Sequence, residues 1–355
     1  MKIKYSLLCL LLLSLLLHCR KELPIEEPPG PRATCLDLSP NTGIPSPVSG
    51  WTIEEKSIGP KMSYNAKPYF LDEQTGFLIA ANGVVWKTAD AGHSWKQVFQ
   101  KNTFMELQME FIDGQRGFLS AGGSNFELYK TTDGGETWER QESTQAGVLY
   151  HFDFLNEKDV VATATIPSGT QPDSMRICRS SDGGLSWGIL PHTEISFFSQ
   201  NGFQMLNDSL GFFAGKEGRL YRTLDGGKTV ASIKTNLKEF YDFQFLDDQN
   251  GFASDYNRFY KTTDGGSSWQ SIDQHTTTLF HFSSPAEGLI VQYLDQCIDF
   301  DVISFSTGFV TTADGGTTYK TSPSSLNFFL WRWHFPTPNV GYSVWKNTLL
   351  KFVKQ

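Results

Sequence analysis

The stretch TTDGGETW, Thr131 to Trp138, decides the fold because the chain repeats it. Five further copies stand at Thr88 to Trp95 (TADAGHSW), Ser180 to Trp187 (SSDGGLSW), Thr223 to Val230 (TLDGGKTV), Thr262 to Trp269 (TTDGGSSW) and Thr312 to Tyr319 (TADGGTTY). Asp and Ser/Thr side chains fold back onto turn amides, so the motif reads as a tight turn joining two strands. The fourth copy lacks its aromatic end and the sixth carries tyrosine there. The aspartates Asp90, Asp133, Asp182, Asp225, Asp264 and Asp314 are separated by 43, 49, 43, 39 and 50 residues. That period fits one four-stranded blade per repeat.

A second pattern counts the blades independently. A short polar residue (Asp72, Asp113, Asn156, Asn207, Asp247, Ser284, Thr337) is followed by Gly76-Phe77, Gly117-Phe118, Val160-Val161, Gly211-Phe212, Gly251-Phe252, Gly288-Leu289 and Gly341-Tyr342. This suits the turn between the first two strands of each blade, with Phe77 and its equivalents packing between blades. Seven occurrences predict an all-β, seven-bladed β-propeller of four-stranded antiparallel blades over residues 50–355. The last repeat stops after a third strand predicted over Thr348 to Val353, whereas Trp51-Thr52-Ile53 resembles Trp95-Lys96-Gln97-Val98 after the first copy. An N-terminal strand is therefore expected to complete the C-terminal blade and leave no open edge.

Composition agrees with many short strands: 355 residues hold 32 Gly and are 14% aromatic and 19% charged. A formal net charge of −8 argues against a general nucleic-acid partner, which needs a basic surface. Cys9, Cys19, Cys35, Cys178 and Cys297 lack the close pairing of a zinc or redox site.

Lys2 and Lys4 precede an apolar run from Leu7 to Leu17, the charged start and short hydrophobic region of an export signal. Eleven residues are too few to span a bilayer, which takes about 20. Leu16-Leu17-His18-Cys19 resembles a bacterial lipoprotein box, with His18 standing where that family has a small residue. The resemblance implies cleavage after residue 18, acylation of Cys19 and residence at the cell envelope. Seven prolines between Pro24 and Pro47 make residues 19–49 a tether, extended without a core.

The repeated turns resemble the Asp-box, or bacterial-neuraminidase, repeat of sialidases, some glycanases, sortilin-type receptors and photosystem II assembly factors. The Tyr-Lys-Thr-x-Asp-Gly-Gly-x-x-Trp form (Tyr129 to Trp138, Tyr260 to Trp269) is especially similar to the assembly-factor propellers, over nearly all of residues 51–355. That resemblance implies a monomeric, non-catalytic binding or assembly scaffold, exported and lipid-anchored, with an unidentified protein or glycan partner. It also implies that the six aspartates serve the turns.

The alternative is a carbohydrate-active propeller. Sialidase chemistry needs an arginine cluster, an acid and a tyrosine nucleophile, and the Phe/Tyr-Arg-Ile-Pro signature is absent, since Ile166-Pro167 has no arginine before it. Arg176, Arg179, Arg219 and Arg222 fall largely at repeat-equivalent strand positions. No nucleophile elbow, zinc helix motif or phosphate-cradling loop appears, so no catalytic residue, metal or cofactor is assigned.

Recognition residues are sought where the repeat is broken. Blades 3 and 6 are expanded around Ile166 to Ile177 and Gln292 to Ser306, as tolerated insertions or as recognition loops on one face. The second carries an acidic cluster, Asp295, Asp299 and Asp301. The run from Phe328 to Phe335 opens the last blade, and alternation places Trp331, Trp333 and Phe335 on one face and Arg332 with His334 on the other, toward the central channel.

Overall fold

The computed structural model describes residues 50–355 apart from short stretches, the longer of which are 59–65, 122–126, 167–173, 196–201 and 322–329. The expected export signal, Cys19 and the expected tether lie outside the described residues. Seven separate four-stranded antiparallel sheets form, six of them from strands consecutive in sequence. Blade 1 runs Lys67–Phe70, Gly76–Ile79, Val84–Thr88 and Lys96–Gln100. The seventh sheet takes Trp333–Thr337, Val340–Trp345 and Thr348–Lys354 from the C-terminus and Trp51–Ser57 from the N-terminus. Trp51 pairs with Lys354 and Ser57 with Thr348, so the two ends of the propeller zip together in one blade.

The first strand of each blade is innermost, since these strands neighbour one another around the ring: Lys67–Phe70 contacts Trp333–Thr337, and Val148–Phe154 contacts both Gln108–Phe111 and Phe203–Met205. Each blade's Gly-Phe pair begins the second strand, and the geometry explains both residues. Phe77, Phe118, Phe212 and Phe252 are at most 1% exposed, and each lies against the aromatic that ends the next blade's inner strand. Ring centroids are 5.2 Å apart for Phe77 and Phe111, 3.4 Å for Phe118 and Phe154, 3.6 Å for Phe212 and Phe245, and 3.4 Å for Phe252 and Phe282. Tyr342 of blade 7 closes the circle on Phe70 at 3.6 Å. Val161 with Met205, and Leu289 with Phe335, replace the aromatic pair at the two remaining seams.

The glycine is required by that same inner-strand ring. A Cβ on Gly251 would lie 2.8 Å from Phe245, and one on Gly117 2.7 Å from Phe111. Blade 3 puts fully buried Val160 there, within the same core as Phe154.

A basic residue on the third strand then covers the seam. Arg222 lies over Phe212 at 5.7 Å and Lys261 over Phe252 at 5.6 Å. Lys87 reaches Glu136 at 2.6 Å, Arg179 donates to the Gly226 carbonyl at 3.1 Å, and Lys351 reaches Glu73 at 2.6 Å. Arg179 and Arg222 are thus engaged between blades.

In blade 6 the expansion is a continuation of two strands rather than a loop. Gly288–Asp299 pairs with Val302–Thr312 as far as Asp299 opposite Val302, making a hairpin much longer than its counterparts. In blade 3 the pairing extends to Ile166 opposite Ser174.

Candidate functional site

Polar groups come together at the turns carrying the repeated aspartates, at the channel ring, and in a cleft between blades 3 and 4. The turns join third to fourth strands on one face. In blade 2, Asp133 accepts from the Glu136 and Thr137 amides at 3.0 Å, from Thr137 Oγ1 at 2.6 Å and from Thr131 Oγ1 at 2.7 Å. Thr131 Oγ1 in turn accepts from the Gly135 amide at 2.8 Å. The same set recurs at Asp90, Asp182, Asp225, Asp264 and Asp314, each accepting from the amide and hydroxyl four residues on. Those donors hold the Asp133 carboxyl well below the usual carboxylate range, the Thr137 hydroxyl most, and Asp182 at about 2.

The turn's first glycine position donates to the blade's other turn on this face, as Gly134 N–H does to Gln115 O at 2.8 Å and Gly183 N–H to Lys158 O at 2.8 Å. The terminal Trp packs under the turn, with Trp95, Trp187 and Trp269 donating to the carbonyls of Gly92, Gly184 and Gly266.

The channel is lined by a second set of equivalent residues. Tyr69, Glu110, Asp153, Gln204, Gln244 and His281 each precede the residue that ends an inner strand, and His334 precedes Phe335; all seven stand seven positions before the first residue of the Gly-Phe pair or its equivalent. Most reach forward to the following blade. Gln204 accepts from the Phe245 amide at 2.7 Å and donates to its carbonyl at 2.9 Å, and Gln244 does the same to Phe282 at 2.8 and 3.0 Å. Tyr69 Oη accepts from the Phe111 amide at 3.0 Å, and His334 Nδ1 from the Phe70 amide at 3.1 Å. His281 Nε2 meets Pro338 O at 2.9 Å while its ring stacks on Phe335 at 3.6 Å. Burial pushes His281 down to about 4, and burial with the Lys67 charge pushes His334 down to about 3, so both rings are neutral near pH 7.

The third place is a cleft of about 600 Å³ lined by Arg176, Glu194, Lys216, Glu217, Arg219, Tyr221 and Ser232. Arg176 comes from the third strand of blade 3, Glu194 from the connection between blades, and the rest from blade 4. Lys216 and Glu217 sit on the connection between second and third strands, the face opposite the aspartate turns. The charged groups of the cleft have specific partners: Arg176 Nη1 donates to Thr193 O at 2.8 Å, Arg219 Nη1 to Ser232 Oγ at 3.3 Å, and Lys216 pairs with Glu194 at 3.7 Å. Tyr221 Oη accepts from the Glu194 amide at 3.1 Å. Glu217 is one of two described non-glycine residues in the left-handed region, at φ 56°. Such a conformation holds where surrounding structure over-determines it.

Of the residues singled out in the sequence, His334 joins the channel ring, where it ties blade 7 to blade 1, and Ser343 Oγ donates to the Arg332 carbonyl at 2.6 Å. Trp333 and Phe335 pack on the core between blades 6 and 7. The side chains of Asp295 and Asp299, and Asp301, Phe328, Phe329 and Trp331 altogether, lie outside the described residues. Among the described residues no cluster of three His, Cys, Asp or Glu forms a metal site.

The sequence reading missed both the ring and the cleft. The ring had a signal, a residue that is polar in every blade seven positions before the Gly-Phe pair or its equivalent. The cleft had none, because it exists only once blade 4 is seated against blade 3.

No protein-family model matches the chain. It is 24% identical over 170 residues to the photosystem II assembly lipoprotein Ycf48 of Synechococcus sp. (strain CC9902), a match covering 46% of this chain and 47% of that one. The chain thus spans about half the length of that curated relative. Among solved structures it superposes on Ycf48 bound to a D1 peptide with a TM-score of 0.63 at 15% identity, over 86% of this chain and 97% of that one. Ycf48 from Cyanidioschyzon merolae gives 0.62 at 14%, over 84% and 98%. The GH74 xyloglucanase from Xanthomonas campestris gives 0.58 at 10%, over 83% and 52%. At these identities the shared property is the fold: the chain is a seven-bladed propeller similar to Ycf48.

Proposed function

We propose that this protein is a non-catalytic, protein-binding assembly scaffold, exported and held at the cell envelope through an acylated Cys19. The observation that carries the reading is the match to an assembly lipoprotein in sequence, joined by a fold match to the same kind of propeller with a peptide bound. Fold alone does not specify function, so the site must support it. The cleft between blades 3 and 4 does so. It is concave, it mixes three cationic and two acidic side chains, and it stands on a rigid scaffold, features that suit a polar peptide segment. The aspartates of the six turns are assigned to local structure, since their oxygens are occupied by the turn's own donors.

The test is a pull-down from native envelope extract with the 48–355 body, run beside the Arg176→Glu/Arg219→Glu variant and with a glycan array on the same preparation. A protein captured by the wild type and lost in the variant is the expected result. Selective glycan binding with no protein capture would replace this reading with a carbohydrate-active one. For the anchor, Cys19→Ser is expected to abolish incorporation of a fatty-acid label and release the protein from membranes.

A further inference from the structure

Among the described residues, five members of the channel ring bond to the following blade and two in succession, Glu110 and Asp153, do not. Gln204 and Gln244 clasp the following blade with an acceptor and a donor together, while Tyr69, His281 and His334 each supply one contact. The equivalent residues of blades 2 and 3 are Glu110 and Asp153, both carboxylates. Glu110 turns backward instead, accepting from Tyr69 Oη at 3.3 Å, and nothing described from its side chain reaches Phe154, the residue that a glutamine there would clasp.

We infer that the seam between blades 2 and 3 is a pH-responsive catch, closed while the Glu110 carboxyl carries its proton and loosened when Glu110 and Asp153 are both ionised. A protonated carboxyl has the hydrogen-bonding faces of a glutamine amide, one acceptor and one donor, and so can do at this seam what Gln204 and Gln244 do at theirs. An ionised one can only accept, and here the Asp153 charge opposes its ionisation. The surrounding charges do not cancel that conflict. The Asp153 charge acts on Glu110 from blade 3, and the Asp208 charge acts on Asp153 from the blade 4 turn. From blade 1, the Lys67 charge acts on Glu110, and its amine donates to Gln108 Oε1 at 2.6 Å. Tyr69 lies between Glu110 and His334, whose ring is 4.6 Å from it, and His151 on the inner strand of blade 3 meets Thr163 Oγ1 at 3.4 Å. Burial first, then the Asp153 charge, pushes Glu110 up to about 8; burial, then Asp208, pushes Asp153 up to about 6. A raised carboxyl contributes stability that is present below its unfolded value and is lost as pH rises through the folded one.

Hydrogen exchange on the intact protein at pH 5 to 9, corrected for the intrinsic rate, tests the catch. Protection of Val148–Phe154 should fall about tenfold relative to Asp242–Phe245, whose seam is clasped by Gln204. Glu110→Gln should abolish the difference and raise the urea midpoint at pH 8.5 while leaving it unchanged at pH 5. If Glu110→Gln does not fold, Asp153→Asn serves, since it removes one partner of the repelling pair. A protection ratio flat in pH, or a Glu110→Gln midpoint that tracks wild type at both pH values, would overturn the inference.

Discussion

Replacing Asp133 with alanine tests the energetics of the repeated turn. The carboxylate holds two amides, Glu136 and Thr137, and two hydroxyls, Thr131 and Thr137, within 3.0 Å. Removing it does not strand all four, because the turn is largely exposed and water can reach the Glu136 and Thr137 groups. Thr131 Oγ1 is the inner end of the network, and it also satisfies the buried Gly135 amide. The expected cost is therefore that of losing a strong local cap, about 1–2 kcal/mol rather than the sum of four bonds. In a domain of this size that lowers the melting temperature by roughly 2–4 °C. Thermal and urea unfolding at pH 7 measure it. Asp133→Asn keeps one acceptor oxygen and should fall between wild type and alanine.

The pH dependence gives a second reading of the same variant. Asp133 titrates below its unfolded value, so its contribution is present above about pH 4 and lost as pH falls through the depressed value. The alanine variant should therefore differ from wild type at pH 7 and converge on it in acid. An Asp133→Ala protein with unchanged melting temperature, or with a deficit that persists undiminished at low pH, would refute the account.

Phe252→Ala removes a fully buried ring stacked at 3.4 Å on Phe282 and 6.0 Å from Phe259; a loss of about 3–5 kcal/mol in urea unfolding is expected, well above that of Asp133→Ala. Ala91, at φ 58°, occupies the position that Gly134, Gly183, Gly226, Gly265 and Gly315 fill in the other turns. Ala91→Gly should thus stabilise by up to about 1 kcal/mol, read as a rise in urea midpoint. His334→Gln keeps a side chain able to accept from the Phe70 amide, as Gln204 does from Phe245. His334 titrates well below its unfolded value, so its stability is present above about pH 6.5 and lost as pH falls toward 3. The variant should match wild type at pH 7.5 and be the more stable at pH 4.5 by equilibrium urea unfolding.

The architecture was legible because each blade solves the same steric problem with the same residues. The Gly-Phe pair appears in the sequence as a periodic oddity, and the structure shows it to be one device in two parts: a missing Cβ admits the inner-strand ring, and the following aromatic presses on the next blade's ring. Closure was legible for a similar reason, since Trp51 onward has the form of an outer strand and the last repeat lacks one. The blade 6 expansion was placed correctly in sequence, but its form was not, because a hairpin's continuation depends on pairing that periodicity alone does not reveal.

Recognition is harder to read, and the reason is physical. A propeller's repeat signal comes from contacts inside a blade or between identical positions of neighbours, whereas a binding surface is made where neighbours differ. Arg176 and Arg219 lie on equivalent third strands, and nothing in either repeat marks them apart from Arg179 and Arg222 three residues further along each strand. The sheet makes the distinction: Arg179 and Arg222 lie near the turn face and are drawn into seams, while Arg176 and Arg219 lie near the opposite face, where the loop bearing Glu194 and the hairpin bearing Lys216 and Glu217 shape a cleft. Equivalent residues thus acquire different work from their height on the blade and from the connection beside them. Exchanging residues 215–218 for the equally long blade 1 turn, residues 80–83, which lacks both charges, should therefore leave the propeller folded and abolish partner capture. Retained capture by that chimaera would move the binding surface away from this cleft.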